Sequence, residues 1–317
     1  MSTNALSRLL KRWRDDYYVS ELLAGLAKPA CSLSALIARQ LQRRVRKNGV
    51  TIRLPNGSPM TIARDSGIGL ASLLFWHGLD GFEPYTSRIL RSVFERSTNF
   101  VDVGANYGFY SVLGALWNPN LHVVAFEPVG EIFEGLLRNV QANSAVGRIR
   151  CENLALSSRS GRAVFFLPQS ENKDIESTGT LATESWQSRK GSPQIEVETI
   201  RFDEYEANHS MHVDLVKIDV EDFEADVLEG MRTVILRDQP FIVCEVLPRK
   251  HGNARTLCEI ESLRYQPYWI TPVGCIRVAR LDFERGNLTD FLFSPVSTQD
   301  AVLDNIETLF ELRHARR

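Results

Sequence analysis

Apolar positions along the chain repeat with two different periods, and the change between them divides the sequence. Leu33, Leu36, Ile37, Leu41 and Val45 recur at helical spacing, with Arg39, Arg43, Arg46 and Lys47 between them, so residues 1–48 read as a basic helical extension. Thr51–Leu54 and Met60–Ala63 flank Asn56-Gly57 and predict a hairpin, which Pro55 and Pro59 make irregular. Ile89, Leu90, Val93 and Phe94 form the apolar stripe of a helix over Thr86–Phe94, and residues 49–98 lead in this way into the core.

From residue 99 short apolar runs alternate with amphipathic ones. Phe100–Val103, His122–Phe126, Arg148–Leu156, Leu215–Val220 and Phe241–Val246 read as strands. Tyr110–Trp117, Glu131–Ala142 and Glu224–Leu236 read as the helices between them. Such alternation predicts an α/β, doubly wound, Rossmann-like sheet over residues 99–296. Tyr268–Thr271, Cys275–Ala279 and Asp290–Phe293 predict an antiparallel pair at its C-terminal end, and residues 297–317 a helical tail. The pattern breaks over 161–205, where Ala163–Leu167 and Gln194–Ile200 read as antiparallel strands around a polar segment. An insertion of that length suggests a substrate lid.

Composition narrows the class. Of 317 residues 44% are apolar and 24% charged, enough for a proper core, and the net charge of −2 excludes a dedicated nucleic-acid binder. Residues 1–50 nevertheless hold ten basic and three acidic side chains, an arrangement suited to peripheral contact with an anionic membrane or polymer, or to a solvated outer face. Cys31, Cys151, Cys244, Cys258 and Cys275 are scattered without a metal-binding spacing. With no secretory or membrane-spanning stretch in view, the expectation is a cytoplasmic protein with reduced thiols.

The candidate chemistry lies at three strand ends. Phe100-Val101-Asp102-Val103-Gly104-Ala105-Asn106-Tyr107-Gly108 is a strand entering a tight turn that opens a helix, where free backbone N–H groups await a ligand. Glu127 ends the following strand, where a carboxylate accepts hydrogen bonds from both hydroxyls of a ribose. The loop lacks the three glycines of a pyrophosphate turn. Asp102 precedes it, unfavourable beside a phosphate and favourable beside a sulfonium or ammonium, so the pair points to S-adenosylmethionine. At the third end, Lys217-Ile218-Asp219-Val220-Glu221 sets charged side chains at alternate positions, either as an ion pair or as reactive groups.

Asp102-Val103-Gly104-Ala105-Asn106-x-Gly108, Glu127-Pro128 followed by Leu136-x-x-Asn139-x-x-x-Asn143, and Lys217-Ile218-Asp219-Val220-Glu221 together resemble the FkbM-type methyltransferases. The likeness runs from about Gly78 to Pro295 and includes Ala155-Leu156-Ser157, Phe202-Asp203 and Val227-Leu228-x-Gly230. Asp222 and Met231 depart from it, standing where the family usually has Gly and Ala. The resemblance implies a class I methyltransferase fold and O-methylation of a sugar, glycan or related hydroxyl. It also implies a cofactor site drawn from Glu83, Asp102, Gly104, Ala105, Asn106, Gly108, Glu127, Pro128, Ala155 and Leu156, where Glu83 either contacts the amino-acid end of the cofactor or merely starts the helix over Thr86–Phe94.

A hydroxyl is a poor nucleophile at neutral pH, so a general base is required. Asp219, Glu221 and Glu245 are the candidates, with Lys217 orienting one of them; His77 and His251 are weaker ones. The three acids could also hold Mg²⁺, though nothing in their spacing demands a metal. Two alternatives share the fold: an NAD-dependent sugar dehydrogenase or epimerase, and a binding module without turnover.

Overall fold

The structure is a computed structural model, and it describes residues 46–167, 181, 192–246, 252–278 and 289–296. The expected N-terminal helix, the tail at 297–317, His251 and most of the polar segment of the insertion lie outside the described residues.

An eight-stranded sheet organises the chain. Its strands are β3 (Asn99–Val103), β4 (His122–Phe126), β5 (Ile149–Glu152), β9 (Leu215–Ile218), β10 (Phe241–Glu245), β11 (Tyr265–Thr271), β12 (Gly274–Arg277) and β13 (Asp290–Pro295). They lie in the order β12-β11-β13-β10-β9-β3-β4-β5. The run from β10 to β5 is parallel, and the pairings β10–β13, β13–β11 and β11–β12 are each antiparallel, so β11 runs in the direction of β10. The antiparallel end is thus three strands rather than a pair, because β13 returns between β10 and β11.

Alternation along each strand explains the two layers that cover the sheet. Phe100, Val123, Ala125, Leu215 and Val243 face one core, with the hairpin of β1 (Val50–Arg53) and β2 (Pro59–Ile62) and with α1 (Ile68–His77), α2 (Pro84–Phe94) and α3 (Phe109–Trp117). Val101, Val103, Val124, Phe126, Val216, Ile218, Ile242 and Cys244 face the other. That second core is closed by α5 (Phe202–Ala207), α6 (Glu224–Gly230), α7 (Arg232–Asp238) and α8 (Gly252–Ser262), while α4 (Gly130–Ala142) follows β4 on the first side.

Two expected elements divide. The strand over 148–156 becomes β5 and the two-residue β6 (Ala155–Leu156), and β6 leaves the main sheet to pair with β8 (Gln194–Ile200), itself antiparallel to β7 (Gly161–Phe166). The helix over 224–236 breaks at Met231, whose wholly buried side chain fills the second core. The four described cysteines, Cys151, Cys244, Cys258 and Cys275, are free thiols. Among the described residues no helix is long and apolar enough to cross a membrane.

Asn139 ties the lead-in segment to this sheet. Its Oδ1 accepts the Ala63 N–H at 2.7 Å, and its Nδ2 donates to the Tyr107 carbonyl at 2.7 Å and to the Ser66 carbonyl at 3.3 Å. One turn on, Asn143 does the same for Thr61, accepting its N–H at 2.8 Å and donating to its carbonyl at 2.7 Å. The two asparagines of the sequence motif therefore clamp β2 and the glycine loop onto one helix. Asn139→Ala leaves buried backbone groups unpaired and is expected to lower stability by about 2–4 kcal/mol. Urea denaturation would show this as a lower midpoint with an unchanged slope; a midpoint equal to that of the parent would refute it.

Candidate active site

The strand order reverses between β3 and β9, and open sheets bind ligands at such a point, beyond the carboxyl ends of the strands. A crevice opens there, with about 590 Å³ of free space once its open mouth is included. Gly104 and Asn106 border it from the loop after β3, Glu127 and Pro128 from the tip of β4, and Leu154, Ala155 and Leu156 from the passage between β5 and β6. Asp219, Val220, Glu221 and Phe223 border it from the tip of β9, and Phe165 and Leu181 from the insertion.

The loop takes its shape from its neighbours. Gly104 and Ala105 both donate their N–H groups to the Phe126 carbonyl, at 3.1 and 2.9 Å. Gly104 has φ +75°, and a Cβ there would lie 2.0 Å from the Asp219 carbonyl oxygen. The glycine is thus required by the close approach of β9's end, in addition to any ligand. Glu127 locks the loop from the other side: Oε2 accepts the Asn106 N–H at 3.0 Å and Oε1 the Val129 N–H at 2.9 Å. Each oxygen keeps a lone pair for a further donor. Burial raises the Glu127 carboxyl to about 7, although those two N–H groups favour its charge.

Behind the crevice lies a buried charge cluster. Asp102 and Lys217 are cross-strand partners on the face covered by α3. Asp102 is 1% exposed and turns Oδ2 to the Ser111 hydroxyl at 2.5 Å, so its carboxylate points into the protein and does not line the crevice. Lys217 Nζ lies 2.8 Å from Asp219 Oδ2 and 4.9 Å from the centre of the Tyr110 ring. The Tyr110 hydroxyl donates in turn to Glu83 Oε2 at 2.6 Å.

Burial opposes the Lys217 ammonium, but Asp219, Glu83 and Asp102 overcome it and hold its pKa above the ordinary lysine value. Burial lifts Glu83 to about 7 against the pull of Lys217, and raises Asp102 against Lys217 and Ser111.

The third feature is a carboxylate trio. Asp219, Glu221 and Glu245 bring oxygens within 4.8 Å of one another, a set of hard ligands that could take a divalent cation. The Thr289 hydroxyl donates to Glu245 Oε1 at 3.0 Å, yet burial, followed by the charges of Asp219 and Glu221, pushes Glu245 to about 10. Asp290, held by the Thr86 hydroxyl, is likewise raised by burial.

The crevice therefore brings together Gly104, Asn106, Glu127, Pro128, Ala155, Leu156, Asp219 and Glu221 from the residues expected. Ala105 and Gly108 shape the loop from behind, and the buried Asp102 and Lys217 and the half-buried Glu83 lie next to Asp219 without lining the space. His77 is exposed at the end of α1 and lies outside it. Sequence reasoning missed Phe126, Val220 and Phe223, although each adjoins a charged strand tip. It also missed Phe165 and Leu181, for which no local signal exists.

A mostly parallel sheet with a ribose-suited acid at the tip of its second strand and a crevice at the reversal of strand order define a class I, Rossmann-like methyltransferase fold. The family model described as the methyltransferase FkbM domain matches residues 102–267, just over half of the chain, and the chain belongs to that family. Among curated relatives it is similar to the methyltransferase sdnD of Sordaria araneosa, 28% identical over 153 residues that cover 41% of this chain and 59% of that protein. It is also similar to the hexuronic acid methyltransferase AglP of Haloferax volcanii, 31% identical over 160 residues covering 50% of this chain and 60% of that one. The chain thus spans about three fifths of the length of these relatives.

Solved structures similar to it include a methyltransferase FkbM from Methylobacillus flagellatus KT, with 17% identity and a TM-score of 0.41 over 62% of this chain and 43% of that one. The O-methyltransferase of Bacillus cereus gives 12% identity and a TM-score of 0.39, covering 67% and 80% respectively.

The cofactor of this class is S-adenosylmethionine, and the crevice fits it. A buried carboxylate with spare acceptor capacity suits the ribose, apolar walls suit a base, and acids suit a sulfonium.

The raised carboxyls set a pH dependence. Between the ordinary value of 4.5 and about 7 the folded protein retains protons on Glu83 and Glu127 that the unfolded chain has lost, so raising the pH favours unfolding. Without ligand, the thermal midpoint should fall from pH 5 to pH 8, and Glu83→Gln should flatten the fall. A midpoint that rises across this window would show that the two acids are ionised in the folded state.

Proposed function

We propose that the chain transfers the methyl group of S-adenosylmethionine to a hydroxyl of a sugar, glycan or related metabolite, with a carboxylate at the end of β9 as general base. The observation that carries this reading is the pairing, in one crevice, of Glu127 with the acids Asp219 and Glu221. The printed name of AglP, a hexuronic acid methyltransferase 31% identical over the matched part, supports a sugar acceptor.

Adjacent strands stand about 4.8 Å apart, so the tips of β4 and β9, separated by β3, lie roughly 10 Å from one another. A ribose held at Glu127 would then direct the sulfur end of the cofactor towards Asp219. When bound, the cofactor supplies a methyl group on a positively charged sulfur. The protein's part is to hold the acceptor oxygen in line with that methyl carbon, exclude water and take up one proton. As the new O–C bond forms and the S–C bond breaks, the hydroxyl proton passes to a carboxylate.

Burial, with the charges of Asp219 and Glu221, favours the protonated form of Glu245, which leaves Asp219 and Glu221 as the proton acceptors. Asp219 has one oxygen tied to Lys217. The same trio could hold Mg²⁺ and orient two sugar oxygens. Turnover that survives EDTA treatment favours the metal-free base, whereas turnover restored only by Mg²⁺ favours the metal.

Calorimetry with S-adenosylmethionine and with NAD separates the methyltransferase from a dehydrogenase or epimerase on the same fold, and no heat with the former would sink the proposal. Binding without transfer to any hydroxylated acceptor would instead indicate a non-catalytic binding module. Mass spectrometry of cell glycans and small metabolites with and without the gene would reveal the acceptor by a lost methyl increment. Glu127→Ala is expected to weaken S-adenosylmethionine binding by about ten- to a hundredfold. Asp219→Asn is expected to leave the Kd within about threefold and to lower turnover at least about a hundredfold. Unaltered turnover in the Asp219 variant would remove it from the mechanism.

A further inference from the structure

The β7–β8 hairpin does not stand away from the crevice as a free flap. Register places Phe165 opposite Ile195 and Ala163 opposite Val197, so these four share the inward face of the hairpin. Phe165 and Val197 are 8% and 6% exposed and pack in one cluster with Val129, Ile132, Ala155 and Leu181. That cluster begins two residues beyond Glu127, at Val129, and takes in Ala155 on the β5 side of the sheet. Phe165 and Leu181 then reach the crevice itself, where Phe223 joins them.

The crevice consequently has a direction. Acids mark its β9 side, Glu127 its middle, and an apolar wall its β5 side. A nucleoside whose ribose is bound at Glu127, with its sulfur towards Asp219, extends its base towards the opposite wall.

We infer that the hairpin serves the cofactor rather than the acceptor: Phe165, with Leu181, forms the wall against which the adenine ring packs. This rests on the reading of the crevice as an S-adenosylmethionine site. A flat, weakly hydrated ring gains most from an apolar and aromatic lining, and base–aromatic contacts of this kind tolerate no replacement by a small side chain without loss of affinity. The β7–β8 hairpin thereby acquires a reason to pack against the start of α4, since that contact completes the base pocket.

The test compares two ligands that differ only in the base: S-adenosylhomocysteine, and S-ribosylhomocysteine, which keeps the ribose and amino-acid parts. Calorimetric titration of the full chain is expected to show Phe165→Ala and Leu181→Ala each weakening S-adenosylhomocysteine by about tenfold. Each should leave S-ribosylhomocysteine within about twofold of the parent. Phe165→Leu, which keeps an apolar side chain, should lose less than Phe165→Ala. Val164→Ser, on the outward face of the same strand and 48% exposed, should change neither ligand.

Equal losses for both ligands would mean that the hairpin acts only through the fold, and would overturn the inference. An unchanged Kd for S-adenosylhomocysteine in Phe165→Ala would also overturn it while leaving the methyltransferase reading intact. Absence of S-adenosylhomocysteine binding by the unaltered protein would remove both.

Discussion

The ammonium of Lys217, buried between two layers of the fold, is the charge around which the centre of the molecule is arranged. Asp219 bonds it directly, Asp102 stands opposite on the neighbouring strand, and Glu83 reaches the same cluster from the start of α2 through Tyr110. A charge so placed is tolerated only when its partners are held in position, and removing one partner leaves the others uncompensated. The cluster therefore links the lead-in helices, α3 and the two central strands into one unit. It also presents Asp219 at the strand tip with one oxygen already committed.

Upon that unit the loop and the crevice are assembled by close approach rather than by many separate contacts. Gly104 allows the carbonyl of Asp219 to come where a side chain would stand, and Glu127 collects the N–H groups of Asn106 and Val129. These constraints fix the shape of the short stretch after β3. Burial within the same close packing also raises the carboxyls of Glu127 and Glu245. Acids poised in this way respond to an incoming positive charge, which is what a sulfonium brings.

Much of the architecture was legible in the chain. Strands β3 and β4 and helices α3 and α4 were expected within a residue of their positions, because a fully buried parallel strand and an amphipathic helix each leave a strong periodic mark. The division of 148–156 into β5 and β6 was not legible, since nothing local says that Ala155 and Leu156 pair with β8 forty-four residues away. The break after Gly230 had a local signal in the low helix propensity of glycine, but the Ser157 carbonyl that approaches this glycine is remote in sequence. The asparagines of α4 were visible as a motif, but their partners Ala63, Tyr107 and Thr61 could be known only once the hairpin was placed.

The sequence by itself determined the alternating fold, the family, and the three strand ends at which ligand chemistry concentrates, because glycine at a tight turn and charge inside an apolar run are constraints on neighbouring residues. The tertiary structure alone decided which groups at those ends face the crevice. It turned Asp102 inward to Ser111, set Lys217 behind Asp219, gathered Glu245 with Asp219 and Glu221, and brought Phe165 and Leu181 to the far wall. Each of those outcomes depends on the distance between segments remote along the chain. Such distances follow from how layers pack, which local spacing does not encode.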